Sequence, residues 1–492
     1  MRKQLPTRLL CGVAVLAMIT ASCTSGEVSP PSTTAGVVDT TSSTDSVPAE
    51  GNMPVVFDGD FGPDDMMALL YLLQAPGVHL MAVTVSGTGL AHCPQGASNA
   101  AAILEYAGHE EIPVACGQSN PTAGANAFPE EWRAGADQLA EDLGVAMIPG
   151  AVDGDAVGLL VETIESADQP VHLLVAGPMT NIAAALDLRP QIVDNLAGIV
   201  AMGGALEVNG SVAPAYAAEW NLWVDPVAAN SVLQAGVPVQ LVPLDATNDV
   251  PATIFFYEAL QSARSTPAAD LVYEFFTRND YNLEGGSYFF WDPLAAVSIV
   301  HPEVLTTEVR SVAVVEEPRD RNGALIETPD GAQVRVALSA DRRMFEETFL
   351  STLNGGIPMS VDIPIPEATV RYTGQTCTFD GPSEFDAQGS LERVVVEMIN
   401  ETETPMTVAS GLHDGVAWEQ VQADAAEFEQ TRQPPAYWQQ TGTVSLYGRS
   451  LTGGRTVAAL DLAPGTHALV CGSDDGHLFP LTDLVVLEPT AS

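Results

Sequence analysis

Four aspartates lie within eight residues of the chain: Asp58, Asp60, Asp64 and Asp65. They follow the apolar run 54–57, which is typical of a buried strand, and they precede a stretch that is typical of a helix. Crowded carboxylates repel each other unless a cation neutralises them, and a hard ion such as Ca²⁺ takes about six to eight oxygen ligands. The cluster therefore predicts a Ca²⁺ site. The alternative without a metal has Asp64 as a helix cap and Asp58 as a surface turn residue.

The charge composition excludes several functions. The 492 residues include 63 Asp and Glu but only 18 Lys and Arg, so the formal net charge is −45. Such an acidic chain repels nucleic acid and anionic membrane surfaces, and we expect no nucleic-acid partner. An Asp-x-Asp pair after a strand also starts the haloacid-dehalogenase-type phosphatases, which need a lysine to hold the phosphate. Lys3 is the only lysine of the chain, so that function is excluded.

Short apolar runs alternate with helix-like stretches over residues 53–361. This βαβα order predicts an α/β fold with a mainly parallel open sheet and helices on both faces. Ligands of such folds bind outside the carboxyl ends of the strands, which is where the aspartates stand. The predicted strands are 54–57, 78–86, 171–176, 196–202 and 237–244, and the predicted helices are 66–73, 97–106, 181–186 and 226–234.

The pattern changes after residue 361. Short strand-like runs at 394–399, 456–460 and 466–471 are separated by Gly- and Pro-containing turn signals. Residues 362–492 therefore predict a small antiparallel β-sandwich as a separate C-terminal domain.

The N-terminus is typical of an export signal. Three basic residues precede a short apolar run at 9–20, and small residues precede Cys23. We expect a signal peptide over 1–22, lipidation of Cys23 and a flexible Ser/Thr/Pro-rich tether over 23–52. The protein would then be an exported cell-envelope lipoprotein that meets the membrane only through its lipid anchor. Cleavage by the ordinary signal peptidase, without lipidation, is the alternative.

Four cysteines remain in the folded part of the chain: Cys93, Cys116, Cys377 and Cys471. An even number outside the cytoplasm favours disulfides. The sequence alone allows three pairings, and we expect the partners that lie within one domain, Cys93 with Cys116 and Cys377 with Cys471.

The aspartate-rich run at 58–65 resembles the signature of the inosine–uridine nucleoside hydrolase family. Further segments match this family in order along the chain, and together they span about residues 53–300. These segments are 177–183 (Gly-Pro-Met-Thr-Asn-Ile-Ala), 202–205 (Met-Gly-Gly-Ala), 218–221 (Ala-Glu-Trp-Asn), 225–226 (Asp-Pro) and 291–295 (Trp-Asp-Pro-Leu-Ala).

The resemblance implies a Ca²⁺ centre that cleaves the N-glycosidic bond of ribonucleosides. It implies Asp60, Asp65 and Asp292 as side-chain ligands, with the carbonyl oxygen of Ala176 as a backbone ligand. The ribose 2′- and 3′-hydroxyls and one water would complete the coordination. Asp60 would also be the general base. For Asp292, which precedes a proline, helix capping alone is the alternative.

The resemblance also implies a set of sugar-binding side chains. Asp64 would accept a hydrogen bond from a ribose hydroxyl, Glu219 and Asn221 would hold the sugar, and Asn209 would contribute as well. Asp58 would support the loop. Glu219 could instead be a solvated acid, and Asn209 lies in an Asn-Gly sequence that is typical of a simple turn.

The sequence departs from the family pattern at three positions. Phe61 stands where the family usually has proline, and Thr88 stands where an asparagine often touches the ribose. Trp291 occupies the place of a histidine that protonates the leaving base in many members. An aromatic ring stacked on the base could assist departure instead, with Trp291 and Trp220 as candidates. The alternatives are that both pack in the protein, and that His92 serves as the acid.

These observations predict a hydrolase that salvages external nucleosides. Its partner would be a small nucleoside, and a homo-oligomer is possible. The alternative is a non-catalytic surface lipoprotein that binds Ca²⁺ and a ribose or nucleoside. The aspartate set favours catalysis, whereas Thr88 and Trp291 favour binding alone.

Overall fold

The computed structural model describes most of the chain after residue 51. None of the helices in this part is long and apolar enough to cross a membrane. The predicted signal peptide, Cys23 and nearly all of the predicted tether lie outside the described residues. Those residues are 52–146, 155–278, 288–317, 321–386, 392–402, 406–412, 416–431, 444–450, 455–473 and 478–487.

The part of the chain before the predicted boundary at residue 361, here called the larger unit, has a nine-stranded sheet at its centre. The strand order is β3-β2-β1-β4-β5-β6-β9-β7-β8. All neighbours from β3 to β9 pair in parallel, whereas β7 and β8 close one edge antiparallel. The prediction of a mainly parallel open sheet is therefore confirmed. The strands are β1 (Met53–Gly59), β2 (Val78–Val85), β3 (Val114–Cys116), β4 (Val171–Ala176), β5 (Leu196–Met202), β6 (Val239–Val242), β7 (Leu305–Val314), β8 (Leu325–Glu327) and β9 (Ala332–Ala340).

Helices cover both faces of this sheet, as predicted. Successive residues of β1 belong to two different apolar clusters: Val55 and Phe57 to one, and Val56 to the other. The helices of this unit are α1 (Pro63–Gln74), α2 (Gln95–Ala107), α3 (Glu130–Ala136), α4 (Leu139–Asp142), α5 (Ala156–Ser166), α6 (Thr180–Leu188), α7 (Trp220–Val224), α8 (Pro226–Leu233), α9 (Leu244–Thr247), α10 (Ile254–Ser262), α11 (Pro267–Arg278), α12 (Trp291–Val300) and α13 (Arg342–Leu353), with short 3₁₀ turns at Pro190–Asn195 and Pro302–Val304.

Strand register brings three loops to one point of the sheet edge. Gly59, the last residue of β1, pairs with Val85 of β2 on one side and with Ala176 of β4 on the other. The chain leaves all three strands in the same direction because they are parallel. The residues that follow, which include Asp60 and Gly177, are consequently neighbours in space.

The C-terminal region contains two sheets that share one apolar core, to which Val396 of one sheet and Leu469 of the other both belong. Their orders are β11-β10-β13-β16 and β12-β18-β17-β14-β15. The strands are β10 (Ala368–Tyr372), β11 (Cys377–Asp380), β12 (Glu384–Asp386), β13 (Glu392–Asn400), β14 (Met406–Leu412), β15 (Val444–Ser450), β16 (Arg455–Leu462), β17 (Gly465–Ser473) and β18 (Leu478–Leu487).

The sandwich differs from the prediction in two respects. The pairs β10–β13 and β12–β18 are parallel, so the arrangement is mixed and not wholly antiparallel. A helix, α14 (Trp418–Thr431), also lies in this region. Among its residues with described burial, Val421 and Ala425 are buried, four positions apart on one helical face. This sparse apolar pattern in an acidic segment is why the helix was missed. The boundary between residues 361 and 362 stays a prediction.

Both predicted disulfides are present. Cys93 bonds to Cys116, and Cys377 bonds to Cys471. The first joins the segment before α2 to the end of β3. The second joins β11 of one C-terminal sheet to β17 of the other, so it links the two sheets of the sandwich covalently.

Removal of the inter-sheet disulfide should destabilise the sandwich selectively. The bond closes a sequence separation of 94 residues, and cross-links of that size stabilise by about 3–5 kcal/mol through the unfolded state. We expect the double variant Cys377→Ala/Cys471→Ala to unfold its C-terminal region at lower urea concentration, as measured by proteolysis of the full chain and mass spectrometry of the fragments. The matched control, Cys93→Ala/Cys116→Ala, should leave the C-terminal transition unchanged. An equal shift in both variants would contradict this assignment.

Candidate active site

The first strand delivers the aspartates to the sheet edge, each into a different environment. Asp58 is the last but one residue of β1 and is completely buried. One of its oxygens accepts hydrogen bonds from the hydroxyl of Thr84 at 2.6 Å and from the amide of Asn181 at 2.7 Å. Burial, opposed by these two bonds, raises the pKa of Asp58 to about 7. Asp58 therefore ties β1 to β2 and α6, which fits the supporting role that the resemblance implied.

The turn between β1 and α1 is held by Asp65. Its two carboxylate oxygens accept from the backbone N–H groups of Asp60 and Gly62, both at 2.9 Å. Phe61, between them, has a φ of 59°. Proline cannot adopt this value because its ring holds φ near about −65°. The departure from the family pattern at residue 61 thus coincides with a backbone conformation that excludes proline.

Two glycines enclose Asp60 closely. A Cβ atom on Gly89 would lie 2.1 Å from the Cβ of Asp60, and a Cβ on Gly177 would lie 2.9 Å from it. The backbone N–H of Ala91 also donates to the carbonyl oxygen of Asp60 at 2.9 Å. The loops after β2 and β4 therefore pack directly on Asp60, and only glycine fits at positions 89 and 177.

Asp292 joins this group from α12. Ligand oxygens of Asp64, Asp65 and Asp292 lie within 4.8 Å of one another. Burial is the largest cause that raises the pKa of each, to about 6 for Asp64 and well above the ordinary range for Asp65 and Asp292, and the neighbouring aspartates raise the last two further. Burial likewise raises the pKa of Asp60 to about 7.

These carboxylates fit a metal ion. None of the four, Asp60, Asp64, Asp65 and Asp292, forms an ion pair with an arginine among the residues that the structure describes. Buried, mutually repelling carboxylates without a protein cation are stabilised either by protons or by a bound cation. The three carboxylates with oxygens within 4.8 Å of one another are Asp64, Asp65 and Asp292, whereas the predicted ligand set has Asp60 in place of Asp64. Asp60 still interacts electrostatically with Asp64 and Asp65.

Glu219 lines the same cavity as the aspartates, and its charge is one of the causes that raise the pKa of Asp60. It caps α7 and accepts from the N–H groups of Gly204 at 2.9 Å, Asn221 at 2.7 Å and Leu222 at 3.3 Å. Burial nevertheless raises its pKa to about 7. The side chain of Asn221 donates to the carbonyl oxygen of Met202 at 3.3 Å. The backbone contacts hold Glu219 in one orientation, so it is not a plain solvated acid.

All these elements border one cavity of about 1060 Å³. Its lining has a carboxylate part, which we call the floor, and an aromatic part, which we call the wall. Among the lining residues are Asp60, Asp64, Leu90, Phe128, Trp132, Ala176, Ser211, Glu219, Trp220, Asn221, Phe275, Arg278, Tyr288, Trp291 and Asp292. The described lining contains neither histidine nor cysteine.

The aromatic wall is built around Trp220. Phe128 stacks on it with ring centroids 5.1 Å apart, and Trp132 and Trp223 meet it edge-on, each at 5.3 Å. Trp132 is 49% exposed and lines the cavity. Phe128 and Trp132 were not predicted, although two aromatics after β3 in an otherwise polar loop were a usable signal.

The structure brings together most of the predicted site. The cavity is lined by Asp60, Asp64, Ala176, Glu219, Asn221, Trp291 and Asp292. A carboxylate oxygen of Asp65 lies within 4.8 Å of those of Asp64 and Asp292. Trp291 makes an edge contact with Tyr288 at 5.1 Å, so its ring both packs and faces the cavity.

Three predicted candidates lie apart from the cavity. Asn209 is exposed and lines a separate shallow pocket with Arg310, so the geometry does not support it as a sugar ligand. Thr88 is buried, and its hydroxyl meets those of Ser86 and Thr180, each at 3.0 Å. The Nδ1 atom of His92 lies 2.9 Å from an oxygen of Asp137, outside the lining.

Comparisons with known proteins agree with this geometry. The family model described as "Inosine-uridine preferring nucleoside hydrolase" matches residues 55–347, more than half of the chain. A probable uridine nucleosidase 1 of Oryza sativa subsp. japonica is 31% identical over 51% of this chain and 78% of its own length. The pyrimidine-specific ribonucleoside hydrolase RihA of Salmonella schwarzengrund is 29% identical over 61% of this chain and 98% of its own length.

A solved structure gives the same result. The inosine-uridine preferring nucleoside hydrolase of Bacillus anthracis superposes with a TM-score of 0.55 and 27% identity, over 62% of this chain and all of its own. The recognition made from the ordered motifs is confirmed, as is the assignment as an enzyme. The chain belongs to the inosine-uridine preferring nucleoside hydrolase family, a family of metal-dependent N-glycosyl hydrolases.

Proposed function

We propose that this protein hydrolyses the N-glycosidic bond of ribonucleosides to free base and ribose, with Ca²⁺ as its metal and outside the cytoplasm. The observation that carries the proposal is a single cavity with buried carboxylates at its floor and stacked aromatic rings along its wall. The floor suits a sugar with vicinal hydroxyls, and the wall suits a planar base.

The chemistry of the donors supports Ca²⁺. Asp64, Asp65 and Asp292 offer only oxygen ligands, and no histidine or cysteine stands in the described lining, where zinc would require one. Asp60 and the carbonyl oxygen of Ala176, at the end of β4, are the further ligands that we propose. When bound, Ca²⁺ would hold the ribose hydroxyls and make a nearby water easier to deprotonate.

Asp60 would take the proton from the attacking water. It lines the cavity between Gly89 and Gly177, which restrict its side chain to one region. Burial places its pKa near 7 in the metal-free protein. Bound Ca²⁺ would lower the pKa of this ligand carboxylate, but it would also lower the pKa of the attacking water, so the proton transfer stays feasible.

Glu219 and Asn221 would bind the sugar. Three backbone N–H groups orient the carboxylate of Glu219 toward the cavity. Cleavage develops positive charge at C1′, and the carboxylates of Asp60, Asp64 and Glu219 would stabilise that charge.

The aromatic wall would bind and assist the leaving base. The described lining has no histidine to act as the acid, whereas Trp220 and Trp291 both line the cavity. Stacking on an aromatic ring stabilises any nucleobase by about 1–3 kcal/mol, because every base has a π-face. Stacking alone therefore does not select one base, and the choice of base would depend on the shape of this wall.

Export and lipidation at Cys23 complete the proposal. Two disulfides in the described chain suit an oxidising compartment. Nucleoside salvage from outside the cell is the corresponding role. A non-catalytic nucleoside-binding lipoprotein is the second candidate, and it is favoured by the absence of a histidine from the described lining.

Loss of Asp60 should abolish turnover. We expect Asp60→Asn to lower kcat by about a thousandfold or more, because a general base contributes about 10²–10⁴-fold and the variant also weakens the metal site. The measurement is release of free base and ribose from a nucleoside panel with Ca²⁺. Asp249→Asn is the control, because Asp249 is an exposed aspartate outside the cavity lining that accepts from Ala340 N–H. Near-normal turnover by Asp60→Asn would remove Asp60 from the mechanism. A wild-type protein that binds nucleosides without cleaving any would instead establish the non-catalytic nucleoside-binding function.

Ca²⁺ affinity should rise with pH. In the metal-free protein the pKa is about 7 for Asp60 and about 6 for Asp64, against 3.8 for an ordinary aspartate. The folded state thus holds protons that the unfolded state has lost, so its free energy of unfolding falls as the pH rises from about 4 to 7. Ca²⁺ must displace these protons, and we expect affinity to increase at least about threefold per pH unit from about pH 5.5 to 7. Calorimetric titration with CaCl₂ measures it; a pH-independent affinity would contradict proton competition at this cluster.

Truncation of Trp220 should weaken substrate binding. We expect Trp220→Ala to raise KM by about tenfold, since one stacked base is stabilised by about 1–3 kcal/mol, and Trp220→Phe to retain most of the affinity. Steady-state kinetics with one purine and one pyrimidine nucleoside provide the measurement. Tyr106→Ala, at a 44% exposed aromatic on α2, is the control. Unchanged KM values in Trp220→Ala would show that the wall only packs.

A further inference from the structure

A series of buried side chains outside the cavity lining is joined by hydrogen bonds. Asp225, completely buried, accepts from the hydroxyl of Thr180 at 2.8 Å. The hydroxyl of Thr180 lies 3.0 Å from that of Thr88, which lies 3.0 Å from that of Ser86. Ser86 in turn donates to the carbonyl oxygen of Pro178 at 2.9 Å. None of these residues is among those that line the cavity.

From Thr88 to Asp225 the hydroxyl groups donate in one direction, because each of them has only one proton. Thr180 donates its one hydroxyl proton to Asp225, so at the contact between Thr88 and Thr180 the donor is Thr88. Ser86 then either donates to Thr88 or keeps its bond to Pro178. The carboxylate of Asp225 is the terminal acceptor, and each hydroxyl depends on the next one for its orientation.

Asp225 also holds a second loop. The oxygen that accepts from Thr180 accepts from the backbone N–H of Thr122 at 2.7 Å and from its hydroxyl at 2.9 Å. The other oxygen accepts from the N–H of Ala228 in the first turn of α8. An aspartate before proline is typical of a helix cap, and Asp225 does cap α8, but its carboxylate also joins the segments after β2, β3, β4 and β5.

Each segment joined in this way carries a neighbour of the reacting groups. Thr88 precedes Gly89, and Thr180 follows Gly177 by three positions; both glycines pack on Asp60. Thr122 lies in the loop that leads to Phe128, which stacks on Trp220 of α7. A second bond ties the same loop to α7, because Asn126 donates to the carbonyl oxygen of Trp223 at 2.6 Å.

We propose that Asp225, Thr180 and Thr88 form a positioning network. Its hydrogen bonds fix the position of the carboxylate floor of the cavity relative to its aromatic wall. The proposal rests on the proposed function, because it takes Asp60 as the base. None of the three residues touches substrate. They act by fixing the two glycine loops against Asp60 and the Phe128 loop against Trp220. Thr88 thus keeps a role in the site, although its hydroxyl is directed into the protein.

The test uses near-isosteric variants of the full chain. Thr180→Val and Thr88→Val each replace a hydroxyl by a methyl group, Thr180→Ser retains the hydroxyl, and Asp225→Asn retains the shape of the anchor. Thr163→Val, at a buried threonine of α5 outside the network, is the matched control. The measurements are kcat and KM for base release, and hydrogen exchange of residues 86–91 and 117–128 by mass spectrometry.

We expect Thr180→Val to lower kcat by about tenfold to a hundredfold with a smaller change in KM, because displacement of a catalytic group by about 1 Å costs about a hundredfold in rate. Exchange should accelerate in both loops. Thr180→Ser should recover most of kcat. The double variant Thr88→Val/Thr180→Val should lose little more than Thr180→Val alone, because both substitutions break one chain.

Two results would overturn the network. One is that Thr180→Val matches Thr163→Val in both kcat and loop exchange; the other is that the effects of Thr88→Val and Thr180→Val on kcat multiply as independent losses. If the wild type cleaves no nucleoside, the proposed function fails, and hydrogen exchange alone decides the network. If Asp225→Asn does not fold, the threonine variants decide it.

Discussion

The repulsion among buried carboxylates at the end of β1 is the constraint on which the site depends. Asp60, Asp64, Asp65 and Asp292 are crowded where burial raises the pKa of each. Such a group persists only because other parts of the structure hold it in place. The N–H groups of the turn support Asp65, strand register supplies the glycine loops, and α12 presents Asp292. A bound cation would offset this repulsion.

Much of this centre could be predicted from the sequence because its signals are local. A buried strand followed by aspartates defines the sheet edge, and a parallel sheet requires the next strands to end there as well. The ordered motifs then added Glu219, Asn221 and Asp292, which are distant in sequence but share the cavity. The two disulfides followed from assigning each pair of cysteines to one region of the chain.

The remaining features depend on tertiary contacts that leave no local pattern. The role of Phe128 depends on its stacking with Trp220, which lies 92 positions later in the chain. Thr88 occupies a ligand position of the family pattern, and only the structure shows that its hydroxyl meets Thr180. In the C-terminal sandwich, parallel pairing of β10 with β13 is a long-range choice that alternation of residues along a strand does not encode.

The close approach of Gly89 and Gly177 to Asp60 has a consequence for how the protein can diversify. No side chain fits at either glycine, so neither position accepts a substitution without moving Asp60. The aromatic part of the cavity lining is less constrained, because Trp132 is half exposed and Phe128 and Trp132 come from one surface loop and the helix that follows it. Substitutions at these aromatic residues change the lining of the cavity without meeting the glycine contacts of Asp60. The cavity can therefore be reshaped for a different ligand while the carboxylate cluster keeps its packing.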